Sequence, residues 1–305
     1  MKSTINNFEY YIEQKTKSMT TLLRKDQQIF KLWIDETIRL YNTIAHLIGR
    51  QPTPEYSSIA SLWAEIIDTL DGIRILHAQS AINPSSTLVR KLFELVFQLI
   101  FMLESDSTNK SLAYEAYYVS RMTQGKDDNR NIYEKYSKYK EYKKEADKAF
   151  SSPASSGAFK NWYHIYDVVE GRNDSEQSRN NQLNSMRSLI KKLTKESPKG
   201  TDAKNERGFY LLEYSILSQE SHGFRSRNYV KVNGNENYIE SFRNPTGIFL
   251  QTDFCHLLIL KGYEFLCTHY KILPNVDIPQ KVSNILGEMK TKEKDWKKEE
   301  QARLP

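Results

Sequence analysis

Residues 88–103 read LVRKLFELVFQLIFML. The polar members Arg90, Lys91, Glu94 and Gln98, with Thr87 just upstream, recur at three- and four-residue steps, which places them on one stripe of a helix. The rest of the circumference is apolar, as in the central helix of a bundle. The run falls short of the roughly 20 residues a bilayer requires and carries charges, so no membrane span is expected.

Working outward, residues 20–47 place Leu22, Leu23, Ile29, Leu32, Trp33, Leu40 and Ile44 at helical spacing, and residues 58–79 do the same with Ile59, Leu62, Trp63, Ile66, Leu70 and Ile73. Asn83-Pro84-Ser85 reads as a chain break, with Ser85 or Ser86 as the N-cap of the central helix. Downstream, residues 112–150 read as helix rich in Tyr and Lys, and SSPASSGA at 151–158 reads as a linker. Residues 171–207 are polar loops around a short amphipathic piece at 186–193. Helix resumes at 209–222, with Phe209, Leu212, Ile216 and Leu217 as its core face, and Gly223 ends it. Asn233-Gly234-Asn235-Glu236 between two β-prone runs predicts a small hairpin over 229–242. Residues 252–270 read as another buried helix, and residues 282–305 as a charged, solvated tail helix. The expected fold is all-α: a helical bundle with a small β-hairpin insertion, one domain over 1–281 with its core at about 20–270, followed by the tail.

Composition narrows the class. The 305 residues are 39% hydrophobic and 27% charged, with 12 Gly, 9 Pro and 2 Cys, which excludes a disordered chain, a collagen and a disulfide scaffold. A net charge of +6 is compatible with an anionic partner. The opening MKSTINNFEY lacks the apolar stretch of a secretory signal, so a cytoplasmic protein with Cys255 and Cys267 as reduced core thiols is expected. No Gly-rich phosphate loop or nucleophile elbow appears, and no cofactor is expected. Cys255, His256, Cys267 and His269 are ligand types, but on one helix the two thiols stand about 120° apart, so no metal site is expected.

A second polar stripe lies on the helix at 209–222, where Tyr214, Ser218 and His222 stack at four-residue intervals. His222 falls in its last turn, where the dipole favours the protonated imidazole. Two readings stand side by side. Either Arg90 and Glu94 are a solvated i,i+4 pair and His222 caps carbonyls, or the stripes face each other and Arg90, Glu94, Tyr214, Ser218 and His222 form one site. Such a set suits RNA cleavage without metal: an imidazole moves the proton, and a cation balances the phosphorane charge. The competing function is a non-catalytic module for a protein or nucleic-acid partner. There the tyrosines from Tyr133 to Tyr142 stack bases, while Lys138, Lys140 and Lys143, with Arg225 and Arg227 in a later loop, track phosphates. Homo-oligomerisation is a further alternative.

The order of residues 88–103, a Tyr/Lys-rich helix and YLLEYSILSQESHG at 210–223 resembles a group of uncharacterised all-helical bacterial proteins. Members carry an Arg-x-x-x-Glu helix and a later Tyr-x-x-x-Ser-x-x-x-His helix, here Arg90, Glu94, Tyr214, Ser218 and His222. The resemblance implies a bacterial setting near defence or mobile genes and a defence or toxin-type effector. A broader likeness is to HEPN-type helical ribonucleases, which use Arg-x(4–6)-His on one helix. Arg39 and His46 have that spacing, but Leu40 stands where that family commonly has a polar residue, and a chain of this composition yields such a spacing about once by chance.

Overall fold

The computed structural model describes residues 20–48, 53–123, 133–151, 161–171, 183–194, 201–221, 230–233, 236–239 and 247–303. Ten helices appear among them. These are α1 (Thr20–Ile48), α2 (Pro54–Ala78), α3 (Ile82–Glu104), α4 (Ser107–Thr123), α5 (Ser137–Ser151), α6 (Trp162–Glu170), α7 (Met186–Leu193), α8 (Thr201–Ser221), α9 (Ile248–Tyr270) and α10 (Asp277–Arg303).

The expected fold class needs one correction. The architecture is an all-α helical bundle, and the β-hairpin insertion is not a component of it. Among the described residues of the expected stretch, Val230–Asn233 and Glu236–Ile239 have extended backbone and pair with each other. A two-stranded ribbon of four-residue arms has too few ladder bonds to act as a structural layer.

The start of α3 also differs from expectation. Ser85 N–H bonds to the Ala81 carbonyl, so the helix begins before Pro84, which sits in the first turn where its missing N–H costs nothing. The α2 helix closes on Ser80 in the left-handed region (φ 56°), with Ala81 N–H returning to the Leu76 carbonyl. This tight turn brings the last turn of α2 beside the first turn of α3, and Ser85 is buried in place of capping the helix.

The chain divides into two compact units: Met1–Thr43 with Glu65–Val96 and Glu213–Pro305, and Ile44–Ala64 with Phe97–Leu212. The core of the first unit gathers Phe30 and Trp33 of α1, Ile66 and Ile73 of α2, Leu92 and Phe93 of α3, and Leu258 and Leu266 of α9. The charged tail contributes to it. Val282, Leu286 and Met289 form a thin buried stripe along α10, so this helix packs on one face and is solvated on the others. The second unit is built around Phe97 and Phe101 of α3, Tyr139 and Tyr142 of α5, and Trp162 and Tyr163 of α6. Its α7 helix starts on a capping box in which Ser185 and Ser188 satisfy each other's backbone N–H, and it buries Met186, Leu189 and Ile190. Lys110 of α4 is buried in this unit. Its ammonium donates to the Phe101 carbonyl in the last turn of α3 at 2.7 Å and lies 4.2 Å from the Phe101 ring centroid.

Candidate functional site

Two distant stretches of sequence meet in the first unit. Arg90 Nε donates to Glu94 Oε1 at 2.9 Å, and Arg90 Nη2 reaches the Tyr214 hydroxyl at 3.4 Å. The Tyr214 hydroxyl in turn donates to Glu94 Oε1 at 3.3 Å, closing a three-membered ring of polar contacts. The guanidinium carbon lies 5.5 Å from the Tyr214 ring centroid. Phe93, fully buried, backs that ring at 5.6 Å and stacks on Phe254 at 5.9 Å. An apolar floor therefore holds the tyrosine, and the tyrosine helps to fix the arginine.

The cluster is neither sealed nor fully solvated, with Arg90 22% and Glu94 31% exposed at the side chain. Burial works against the Arg90 charge, but Glu94 and Tyr214 outweigh it and hold the guanidinium above its ordinary range. Burial, reinforced by Glu94, pushes the Tyr214 phenol up against the opposing pull of Arg90, which keeps it a hydroxyl donor at neutral pH. Lys91, next on the stripe, pairs with Glu65 at 2.8 Å and is half-exposed. In the second unit Gln98 accepts from Trp162 Nε1 at 2.6 Å, so this last member of the stripe serves packing.

Ser218 lies one turn beyond Tyr214 on α8 and is half-buried. His222, Arg225 and Arg227 lie outside the described residues. The face of α8 that packs differs in part from the expected one: Leu217 is buried as expected and Tyr210 is buried beside it, whereas Phe209 and Leu212 are exposed. The buried stripe is the one that continues through Tyr214, because an aromatic ring with a hydroxyl tip can bury its body and still meet a charged partner.

The Tyr/Lys helix turns its rings inward. Tyr133, Tyr139 and Tyr142 are buried, and the Tyr142 hydroxyl donates to Glu170 at 2.5 Å. Lys138 pairs with the same Glu170 at 3.0 Å, and Lys143 pairs with Asp147 at 2.8 Å, while Lys140 is exposed. Arg39 donates twice to the buried Glu36, which also receives the Tyr263 hydroxyl, and His46 is exposed. Cys255 and Cys267 are free and buried. Among the described residues no group of three or more His, Cys, Asp or Glu is placed to hold a metal ion, and no helix is long and apolar enough to cross a membrane.

A family profile described as Family of unknown function (DUF5677) matches residues 56–238, more than half of the chain. The chain belongs to this family. The DUF5677 match takes in Arg90, Glu94, Tyr214, Ser218 and His222, and leaves Arg39, His46 and the whole of α9 and α10 outside it. No curated protein and no solved structure matches the chain.

The sequence stripes pointed to Arg90, Glu94 and Tyr214. They did not point to Phe93 and Phe254 as the floor beneath the tyrosine, since both look like ordinary core residues in strongly apolar helices. They also missed a separate buried polar group at Asp26, His77, Ser85 and Gln251, whose members are isolated in sequence.

Proposed function

We propose that this DUF5677 protein is a defence or toxin-type effector that engages RNA at Arg90, Glu94, Tyr214, Ser218 and His222 and cleaves it without a metal ion. The reading is supported by one observation above the others: Arg90 and Tyr214, 124 positions apart, come together at a half-open polar cluster on an aromatic floor. In this reading His222 accepts the proton of a ribose 2′-hydroxyl as the 2′-oxygen attacks phosphorus and the 5′-oxygen leaves, taking a proton from water. The Arg90 guanidinium balances the charge that grows on the phosphorus oxygens, and Glu94 orients it. Tyr214 and Ser218 supply hydroxyl donors to the phosphate.

The experiment is incubation of the purified full chain with RNA in the presence of chelator. Cleavage by the wild type that His222→Ala abolishes is the expected result. An intact substrate, or equal cleavage by the variant, removes the reading. RNA retained without cleavage would assign the chain to the binding class.

A further inference from the structure

A second polar cluster in the first unit has the distances of a serine-hydrolase triad and the wrong proton positions for one. His77 Nδ1 lies 3.0 Å from Asp26 Oδ1, and His77 Nε2 lies 3.1 Å from Ser85 Oγ. All three side chains are fully buried. The placement of hydrogens follows from the neighbours.

Gln251 settles the first step. Its amide has one end 3.1 Å from the Ile82 carbonyl, which only accepts, so that end is the nitrogen, which also donates to Ser86 Oγ at 2.9 Å. Its oxygen is therefore turned to His77 Nε2 at 3.1 Å and to Ser85 Oγ at 2.6 Å. Ser85 Oγ also lies 2.6 Å from the Ile82 carbonyl. The single hydroxyl hydrogen of Ser85 is claimed by these two carbonyl oxygens, and an Nε2 without a hydrogen would face the amide oxygen lone pair to lone pair. Nε2 must donate. On the other side of the ring Asp26 Oδ1 faces His77 Nδ1 and, at 2.5 Å, the Thr252 hydroxyl, which also lies 2.7 Å from the Ile248 carbonyl, while Oδ2 accepts from the Gln27 amide at 3.1 Å.

We infer that His77 donates from both ring nitrogens at once, as an imidazolium clasped between Asp26 and the Gln251/Ser85 pair, and that this clasp is a register-setting device joining α1, α2, α3 and α9. Ser85 is then a hydrogen-bond acceptor to His77 and is not activated as a nucleophile. The groups facing the ring are Asp26 from α1, Ser85 from α3 and Gln251 from α9, with the Phe30 ring edge-on at 5.4 Å, and Gln27 and Thr252 stand behind Asp26. The buried Cys255 thiol also feels Asp26; burial, with Asp26 adding to it, holds the thiol protonated. With every member hydrogen-bonded, the group disfavours other helix registers, because a slip by one turn would leave a buried charge without its partner.

The test is nitrogen-15 NMR of the labelled full chain at neutral pH, reading the His77 imidazole. Two protonated ring nitrogens with exchange-protected hydrogens are expected. One bare nitrogen, on either side of the ring, overturns the inference. Assignment uses Ser85→Ala, which removes one acceptor from Nε2 and leaves Nδ1 on Asp26, so His77 itself need not be replaced. The Nε2 signal should move more than the Nδ1 signal. The reverse order would contradict the clasp. A fluorophosphonate probe supplies a second reading on the unmodified protein: no adduct at Ser85 is expected, and an adduct there would show an activated hydroxyl and overturn the assignment.

Discussion

The Tyr214 hydroxyl donates to Glu94, 120 positions earlier in the chain, and the same carboxylate oxygen receives Arg90 Nε. One oxygen thus ties a residue of α8 to an i,i+4 pair on α3. The arrangement converts an exposed helix pair, worth a few tenths of a kcal/mol, into a fixed cation with a defined direction.

Tyr214→Phe keeps the ring on Phe93 and removes only the hydroxyl. The expected cost is about 0.5–1.5 kcal/mol in a denaturant unfolding curve. In a double-mutant cycle with Glu94→Gln the two changes should be coupled by at least about 0.5 kcal/mol. Additivity would mean that the hydroxyl and the carboxylate do not communicate.

His256 supplies a pH dependence. Burial holds its imidazole down at about 4, and Trp33 Nε1 donates to its Nδ1 at 3.1 Å. The unfolded histidine takes up a proton near 6.5, so between pH 6.5 and 4 the unfolded state binds more protons than the folded one, and stability falls as pH falls. The contribution is complete above pH 6.5 and amounts to at most about 3 kcal/mol over the window. His256→Gln keeps an acceptor for Trp33 and does not titrate. Unfolding free energies of the wild type and this variant should diverge between pH 7 and 4.5, and parallel curves would contradict the assignment.

The parts of the molecule legible in sequence are those with a period. The apolar circumference of residues 88–103 placed α3 in the core, and the four-residue spacing of Tyr214 and Ser218 placed them on one side of α8. The orientation of a mixed helix was not legible. On α8, Leu217 is buried as its hydrophobicity implies, but Phe209 and Leu212 are exposed and Tyr210 takes the buried place, because ring area and partner geometry outweigh mean polarity. Pro84 misled for a local reason. A proline is tolerated in a first turn, so the helix starts upstream of it and frees Ser85 for the buried clasp. That clasp draws single polar residues from four helices, and no spacing rule connects Asp26 to Gln251.

Lys110→Met removes the donor to the Phe101 carbonyl while retaining a chain of similar length over the Phe101 ring. A loss of about 1.5–3 kcal/mol in unfolding free energy is expected, the range for a hydrogen bond involving a charged group. An unchanged midpoint would indicate that the carbonyl finds another donor.

The Tyr/Lys helix allows the two functional classes to be separated. Lys138 and Lys143 are already paired with Glu170 and Asp147, and the rings of Tyr133, Tyr139 and Tyr142 are buried. Lys138→Glu and Lys143→Glu should therefore lower stability, while the salt dependence of RNA affinity stays as in the wild type. A shallower salt slope would place the phosphate contacts on this helix and favour the binding module.

The proposed chemistry rests on the Arg90 guanidinium, and its most direct test is the single-turnover rate of RNA cleavage in chelator by the wild type and by Arg90→Gln, with the unfolding midpoint of each measured in parallel. A rate lower by about 10²–10³ is expected for a variant that remains folded, the scale for loss of one transition-state charge stabiliser. A folded Arg90→Gln protein that cleaves RNA at the wild-type rate would contradict it.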